Sequence, residues 1–231
     1  MKGLFVAGTD TNVGKTILTG AIAAYLKKNK IQVGVMKPIE SGSLERSDAL
    51  FLKKMASVDD PLDLINPYFF EAPLAPAIAA QLEKKEILLD RIFNSFQKLF
   101  TFHSLLLVEG AGGLFVPLTK EKTILDLIQL LQLPVLLVAR AGLGTINHTL
   151  LSIEALKTRK VQIAGVILNH TTPEADLSSR YNFETLKEWT DIPIWGEFPY
   201  LKNIEDENLM AQIIGSRFNP FLKSFISKPV S

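Results

Sequence analysis

The chain has 231 residues, 47% of them hydrophobic, which is enough for one well-buried core without a second domain. Its 25 basic and 24 acidic residues leave a net charge of +1, so it lacks the electrostatic footprint of a nucleic-acid binder. With no cysteine, disulfides, Cys-based zinc sites and thiol chemistry are excluded together.

"MKGLFVAGTD" offers too few apolar residues before Asp10 for a signal peptide, and no apolar run approaches the ~18 residues of a membrane span. A soluble, cytoplasmic protein is expected, with no membrane partner. In chain order, the first apolar run is "GLFVAG" (3–8), a buried strand, followed by "GTDTNVGKT" (8–16) and the helical period of "TILTGAIAAYLKKN" (16–29). "VGVMK" (33–37) is a second strand, and Asp48 in "RSDAL" opens a further predicted helix. The Pro-rich "NPYFFEAPLAPA" (66–77) reads as a long irregular binding loop. Then come a helix over "ILLDRIFNSFQKLF" (87–100), a strand over "SLLLVEG" (104–110) and a helix over "ILDLIQLLQ" (124–132). "LPVLLVA" (133–139), "TLLSIEALKTR" (149–159) and "IAGVILN" (163–169) complete the alternation, with "KTRK" (157–160) as a solvated helix end. Strands without polar alternation suit a parallel sheet covered on both faces. The expected fold is therefore a single α/β domain with one doubly wound, mostly parallel sheet and helices on both faces, of P-loop NTPase type.

Ligands of such sheets bind beyond the carboxyl ends of the strands. After the first strand, Gly8 and Gly14-Lys15-Thr16 frame a phosphate loop with five intervening residues where the usual pattern has four. Its amides and the helix dipole favour an anion, Lys15 adds a full charge, and the Thr16 hydroxyl is placed for magnesium. The run Asn12, Val13, Gly14, Lys15, Thr16 and Ile17 is the expected nucleotide contact. Glu109, ending an apolar strand beside this loop, belongs with a magnesium ion, and Gly110, Ala111, Gly112 and Gly113 keep the backbone close to the phosphates. Lys37 is either a solvated strand end or a second cation facing the transferred phosphoryl group. Asp48 is either a first-turn charge or a second magnesium carboxylate. Asn169 ends a strand without the downstream Asp that grips guanine, which points to ATP. His103, His148 and His170 lack metal-ligand spacing and read as structural or peripheral.

Together "GTDTNVGKT", "KPIESGS", "SDAL", "VEGAGGLFVPL", "GLGTINHTLLS" and "GEFPYL" resemble the dethiobiotin synthetases, in order and spacing, from Lys2 to about Leu201. The longer phosphate loop is characteristic of that family and implies a widened mouth reaching a second substrate. The resemblance implies an ATP-dependent cyclo-ligase joining CO2 (or bicarbonate) to 7,8-diaminononanoate, through a carbamate and a carbamic–phosphoric anhydride. It implies that Lys15 and Lys37 flank the γ-phosphate and carbamate, and that Thr16, Asp48 and Glu109 hold Mg2+. It places Thr11 and Ser41 on the carbamate or diamine, the loop at Pro73–Pro76 along the diamine, and Gly110 and Gly112 where substrate needs room. It puts Asn169, His170, Pro199, Tyr200 and Leu201 around the adenine, and one of Glu205, Asp206 or Glu207 near the ribose. Asn12 departs from the family, where many members carry an acid. The family also implies a homodimer in which "GLGTINH" (142–148), through Gly144 and Asn147, binds the diamine carboxylate across the interface. Two alternatives share the loop: a partitioning-type ATPase switch, which carries a lysine where Thr9 and Asp10 stand, and a cobyrinate-type amide synthase, which needs a nucleophilic Cys.

Overall fold

Apolar residues on both sides of a strand require cover on both sides, and this chain provides it. The structure, a computed structural model, describes residues 3–174 and 176–227. Strand β1 (Gly3–Gly8) leads to helix α1 (Lys15–Lys28), β2 (Val33–Met36), β3 (Ile39–Ser41), α2 (Ser47–Ala56), α3 (Leu62–Ile65) and β4 (Tyr68–Phe70). There follow α4 (Pro76–Leu82), α5 (Leu89–Phe102), β5 (Leu105–Gly113), α6 (Ile124–Leu131), β6 (Val135–Arg140) and α7 (Thr145–Thr158). The chain continues through β7 (Ile163–Asn169), α8 (Ser179–Trp189), β8 (Ile194–Phe198), α9 (Glu207–Arg217) and α10 (Asn219–Ser227). Six strands pair in the order β2-β5-β1-β6-β7-β8, and every pairing is parallel.

Alternate residues of one strand serve different cores. In β1, Leu4 and Val6 pack with α1, α2 and α9, whereas Phe5 and Ala7 pack with α5 and α6 on the other face. This is the expected doubly wound α/β sheet. Because β1 sits between β5 and β6, the chain leaves it in opposite directions, and the crevice at that switch faces the carboxyl ends.

Two expectations need correction. Residues 66–77 are not one irregular loop: Tyr68–Phe70 forms β4, parallel to β3, and Pro76 opens α4. Pro suits that position because the first helical N–H has no partner to lose. Glu109 does not end its strand either. Strand β5 runs on to Gly113, with a register irregularity between Val6 and Gly8 of β1. Its carboxylate therefore rises from within a strand, which accounts for its complete burial.

Candidate active site

A cavity of about 1160 Å3 lies along the carboxyl ends of β1, β2, β5, β7 and β8. Its phosphate end is the loop before α1, where Thr11, Asn12, Gly14, Lys15, Thr16 and Ile17 line the wall. Helix α1 has no side-chain cap and no acid in its first turn, so its leading amides and dipole are left for an anion. Gly14 has φ +89, and a Cβ there would sit 1.9 Å from Asn169 Nδ2. Only glycine combines that left-handed backbone with that approach. Lys15 Nζ donates to the Asp10 carbonyl at 3.0 Å, and burial, aided by the Lys37 charge and opposed by Glu109, brings its ammonium down to about 8.

The middle of the cavity is a charge cluster. Lys37 Nζ lies 2.7 Å from Asp48 Oδ2 and 2.5 Å from Glu109 Oε1, and the Thr16 hydroxyl donates to that same Oε1 at 2.7 Å. Burial alone would lower the Lys37 ammonium, but Glu109 and Asp48 outweigh it and hold the group above its ordinary range. Lys37 is thus no solvated strand end, and Asp48 is no mere first-turn charge. Burial raises the Glu109 carboxyl, against the pull of Lys37. Glu109 Oε2 is buried with no hydrogen-bond partner.

No group of three or more His, Cys, Asp or Glu placed to hold a metal occurs among the described residues. Magnesium does not require one, since it is commonly held through one or two carboxylates with substrate phosphates and water completing the shell. Two acids gathered on one ammonium, an orphaned carboxylate oxygen and a hydroxyl beside a phosphate loop fit such an ion.

Asn169, His170, Pro199, Tyr200 and Leu201, the residues expected around the adenine, all line the cavity. Asn169 Nδ2 is already spent, donating to the Val13 carbonyl at 2.8 Å, so its amide holds the phosphate loop as well as facing the cavity. Glu205 lines the wall, whereas Asp206 caps α9 and Glu207 pairs with Lys27. Of the three acids offered for the ribose, Glu205 is the one that lines the cavity.

Thr11, Ser41, Ala111, Gly112, Pro73 and Pro76 also line the cavity, and the Ser41 hydroxyl is buried without a partner. Several expected residues do not line it, Gly113 among them. Val13 is packed in the core, and Gly110 lies against the Phe5 ring, where a Cβ would approach to 2.8 Å. Gly144 and Asn147 stand outside the cavity, at the start of α7, with Leu143 81% exposed beside them. Phe51 and Glu40 are among the wall residues that escaped the sequence reading. Phe51 looks like any helix apolar, and Glu40 differs from an ordinary strand residue only in being an acid among buried neighbours.

An AAA-domain family model matches residues 2–208. An "ATP-dependent dethiobiotin synthetase BioD" of Thermodesulfovibrio yellowstonii is 44% identical over 221 residues, 90% of this chain and 92% of that protein. The Bacillus subtilis (strain 168) protein of the same name is 38% identical over 216 residues, 92% of this chain and 94% of its own. The chain belongs to the dethiobiotin synthetase family. It is accordingly an enzyme of the ligase class, with ATP as co-substrate. Solved structures share its fold at lower identity. A Borrelia burgdorferi putative plasmid partition protein bound to AMPPNP has a TM-score of 0.63 at 13% identity, covering 96% of this chain and 98% of that one. The MinC:MinD complex of Aquifex aeolicus gives 0.59 at 17% identity, covering 100% and 98%. Among dethiobiotin synthetases, then, this chain keeps the phosphate-loop fold with a charge cluster of Lys37, Asp48 and Glu109 at its centre.

Proposed function

We propose that the chain, folded as a single domain, makes dethiobiotin from 7,8-diaminononanoate, CO2 and ATP. One amine of the diamine adds to CO2 and loses a proton, giving a carbamate. A carbamate oxygen attacks the γ-phosphorus, the bond to ADP breaks, and a carbamic–phosphoric anhydride remains. The second amine attacks the carbonyl carbon and expels phosphate, closing the ureido ring. Phosphoryl transfer of this kind needs alignment and charge neutralisation rather than a covalent partner on the protein.

The residues have matching tasks. Lys15 and the α1 amides hold the β- and γ-phosphates. Lys37 neutralises charge between the γ-phosphate and the carbamate. Thr16, Asp48 and Glu109 would hold magnesium, which would offset charge on the phosphates. Thr11 and Ser41 orient the carbamate end, and Pro73 and Pro76 wall the diamine chain. Asn169 Oδ1, an acceptor, suits the exocyclic amine of adenine, with His170, Pro199, Tyr200 and Leu201 around the ring and Glu205 at the ribose.

The observation that carries this reading is one cavity with two kinds of wall: a phosphate loop with the Lys37 cluster, and a stretch with an unpartnered buried Ser41 hydroxyl, Pro73 and Pro76. A nucleotide switch has no use for the second. The test is dethiobiotin formation by purified protein from labelled bicarbonate, ATP and the diamine. ATP hydrolysis at the same rate with and without diamine would overturn it and favour the switch.

The same proposal includes a homodimer. The loop leading into α7 is held by side chains in and just before α8, with Leu143 N–H donating to Asp176 at 3.2 Å and Asn182 Nδ2 donating to the Ala141 carbonyl at 2.7 Å. It lies outside this chain's own cavity, beside exposed Leu143 and Leu151. A second copy would present this helix start, through Gly144 and Asn147, to the diamine carboxylate.

A further inference from the structure

Glu40, on β3, is an acid that is 3% exposed and forms no ion pair among the described residues. A buried carboxylate without a cation is costly unless donors surround it. Its donors all come from one place, the first turn of α2. Glu40 Oε1 accepts from the Asp48 amide at 2.9 Å and from the Ser47 hydroxyl at 3.2 Å, and Oε2 accepts from the Ala49 amide at 3.2 Å.

Helix α2 needs this help from outside. Arg46, the residue before it, is in the left-handed region at φ 55 and supplies no side-chain cap. Leading amides of a helix have no intrahelical acceptor. Ser43 Oγ satisfies the Ser47 amide at 3.2 Å, and Glu40 satisfies the next two. The two caps differ in what they tie together. Ser43 belongs to the loop leading into the helix. Glu40 belongs to the strand between Lys37 and Ser41, and it fastens that strand to the backbone of Asp48, whose carboxylate meets Lys37 at 2.7 Å.

We propose that Glu40 is a positioning residue: it fixes the Asp48 backbone so that the Asp48 carboxylate faces the metal position. This rests on the reading above in which Asp48 and Glu109 hold magnesium. A helix cap that acted on stability alone would leave metal affinity unchanged, which separates the two roles.

The test measures Mn2+ binding by electron paramagnetic resonance in the ADP complex, alongside metal-free ADP affinity and thermal midpoints. Glu40→Ala should raise the Mn2+ dissociation constant about fivefold or more, equivalent to ~1 kcal/mol, with ADP affinity within about twofold of wild type. Glu40→Gln keeps one acceptor and should fall between. Ser43→Ala, which removes the other cap of the same helix, should lower the midpoint while leaving Mn2+ binding within about twofold. Unchanged Mn2+ affinity in Glu40→Ala, or an equal loss in Ser43→Ala, overturns the proposal. If Glu40→Ala does not fold, the outcome rests on Glu40→Gln: weakened Mn2+ binding supports the proposal and unaltered binding overturns it. Asp48→Asn identifies which idea has failed. If it too binds Mn2+ normally, the assignment of Asp48 to the metal falls, and the positioning role falls with it. If it binds Mn2+ weakly while the Glu40 variants bind normally, the metal reading stands alone.

Discussion

Lys37 has two tasks in this molecule, and its removal should expose both. Its ammonium is proposed to neutralise charge in the transfer step, so Lys37→Ala should lower turnover about a hundredfold or more. It also balances Glu109, which is 0% exposed, so its loss leaves a buried acid without its cation. Breaking such a pair typically costs ~3 kcal/mol. In urea denaturation, Lys37→Ala should be clearly less stable, and adding Glu109→Gln should restore part of that stability but none of the activity. A native midpoint for the single variant would contradict the pairing. Glu109→Gln alone should raise the magnesium needed for half-maximal rate, and an unmoved magnesium titration would take Glu109 out of the metal site. Gly14→Ala should be harsher than a routine loop change. The added Cβ meets Asn169 Nδ2 at a position with φ +89, so nucleotide affinity should fall by about tenfold or more as the loop shifts. ADP titration checks this.

Elements show what the sequence could and could not convey. The strands that became β1, β2, β5, β6 and β7 were legible because burial on both faces leaves an unbroken apolar run. Strand β8 was not, since Gly196 and Glu197 interrupt "IWGEF" and its neighbours are the polar α8 and the loop at 199–206. Strands β3 and β4 are three residues each, too short for a period, and the prolines at 67, 73 and 76 disguised them. The phosphate loop was legible as the turn from β1 into α1, with Lys15 on the cavity wall, because its pattern is local. The choice between readings of Lys37 and Asp48 was not, because their contact spans strand to helix, and Glu40 was invisible for the same reason. Helix α6 offers a clean element-scale test. The Thr123 amide and hydroxyl both donate to Asp126 Oδ2, at 2.8 and 2.7 Å, and these bonds, the backbone one first, hold the Asp126 carboxyl below its usual range. A carboxyl depressed on folding stabilises above its unfolded pKa and loses that contribution as pH falls through its folded value. Asp126→Ala should therefore cost about 1 kcal/mol at pH 7. The difference from wild type should shrink once the pH drops below the unfolded value of 3.8. Equal differences at pH 7 and pH 3 would contradict the capping account.

For the whole molecule, the question is whether one chain holds a complete site. Lys37 and the start of α7 lie in different parts of this chain's surface, and the proposed dimer brings them together from different copies. Lys37→Ala protein and a protein altered at both Gly144 and Asn147 should each be nearly inactive. Mixed in equal amounts and allowed to exchange, half the dimers become hybrids with one of two sites intact, so activity should recover to about a quarter of wild type. A mixture no better than the sum of its parts, with exchange verified by mass spectrometry, would confine each site to one subunit.

The walls of the central cavity carry Lys15 and Lys37 against Glu40, Asp48, Glu109 and Glu205. Taken as a receptor, the site is thus anionic in formal charge, although its nucleotide co-substrate is an anion. Attraction comes from aligned backbone amides at short range, while the sum of formal charges opposes entry. Ionic strength should distinguish this arrangement from an ordinary basic phosphate pocket. Affinity for metal-free ADP should stay within about twofold between low and physiological salt, where a basic pocket would weaken steeply. Divalent cation, by contrast, should tighten binding strongly, because its charge offsets the excess of acids along the wall. The proposed metal site thus predicts tighter binding of the metal-complexed nucleotide than of the free one.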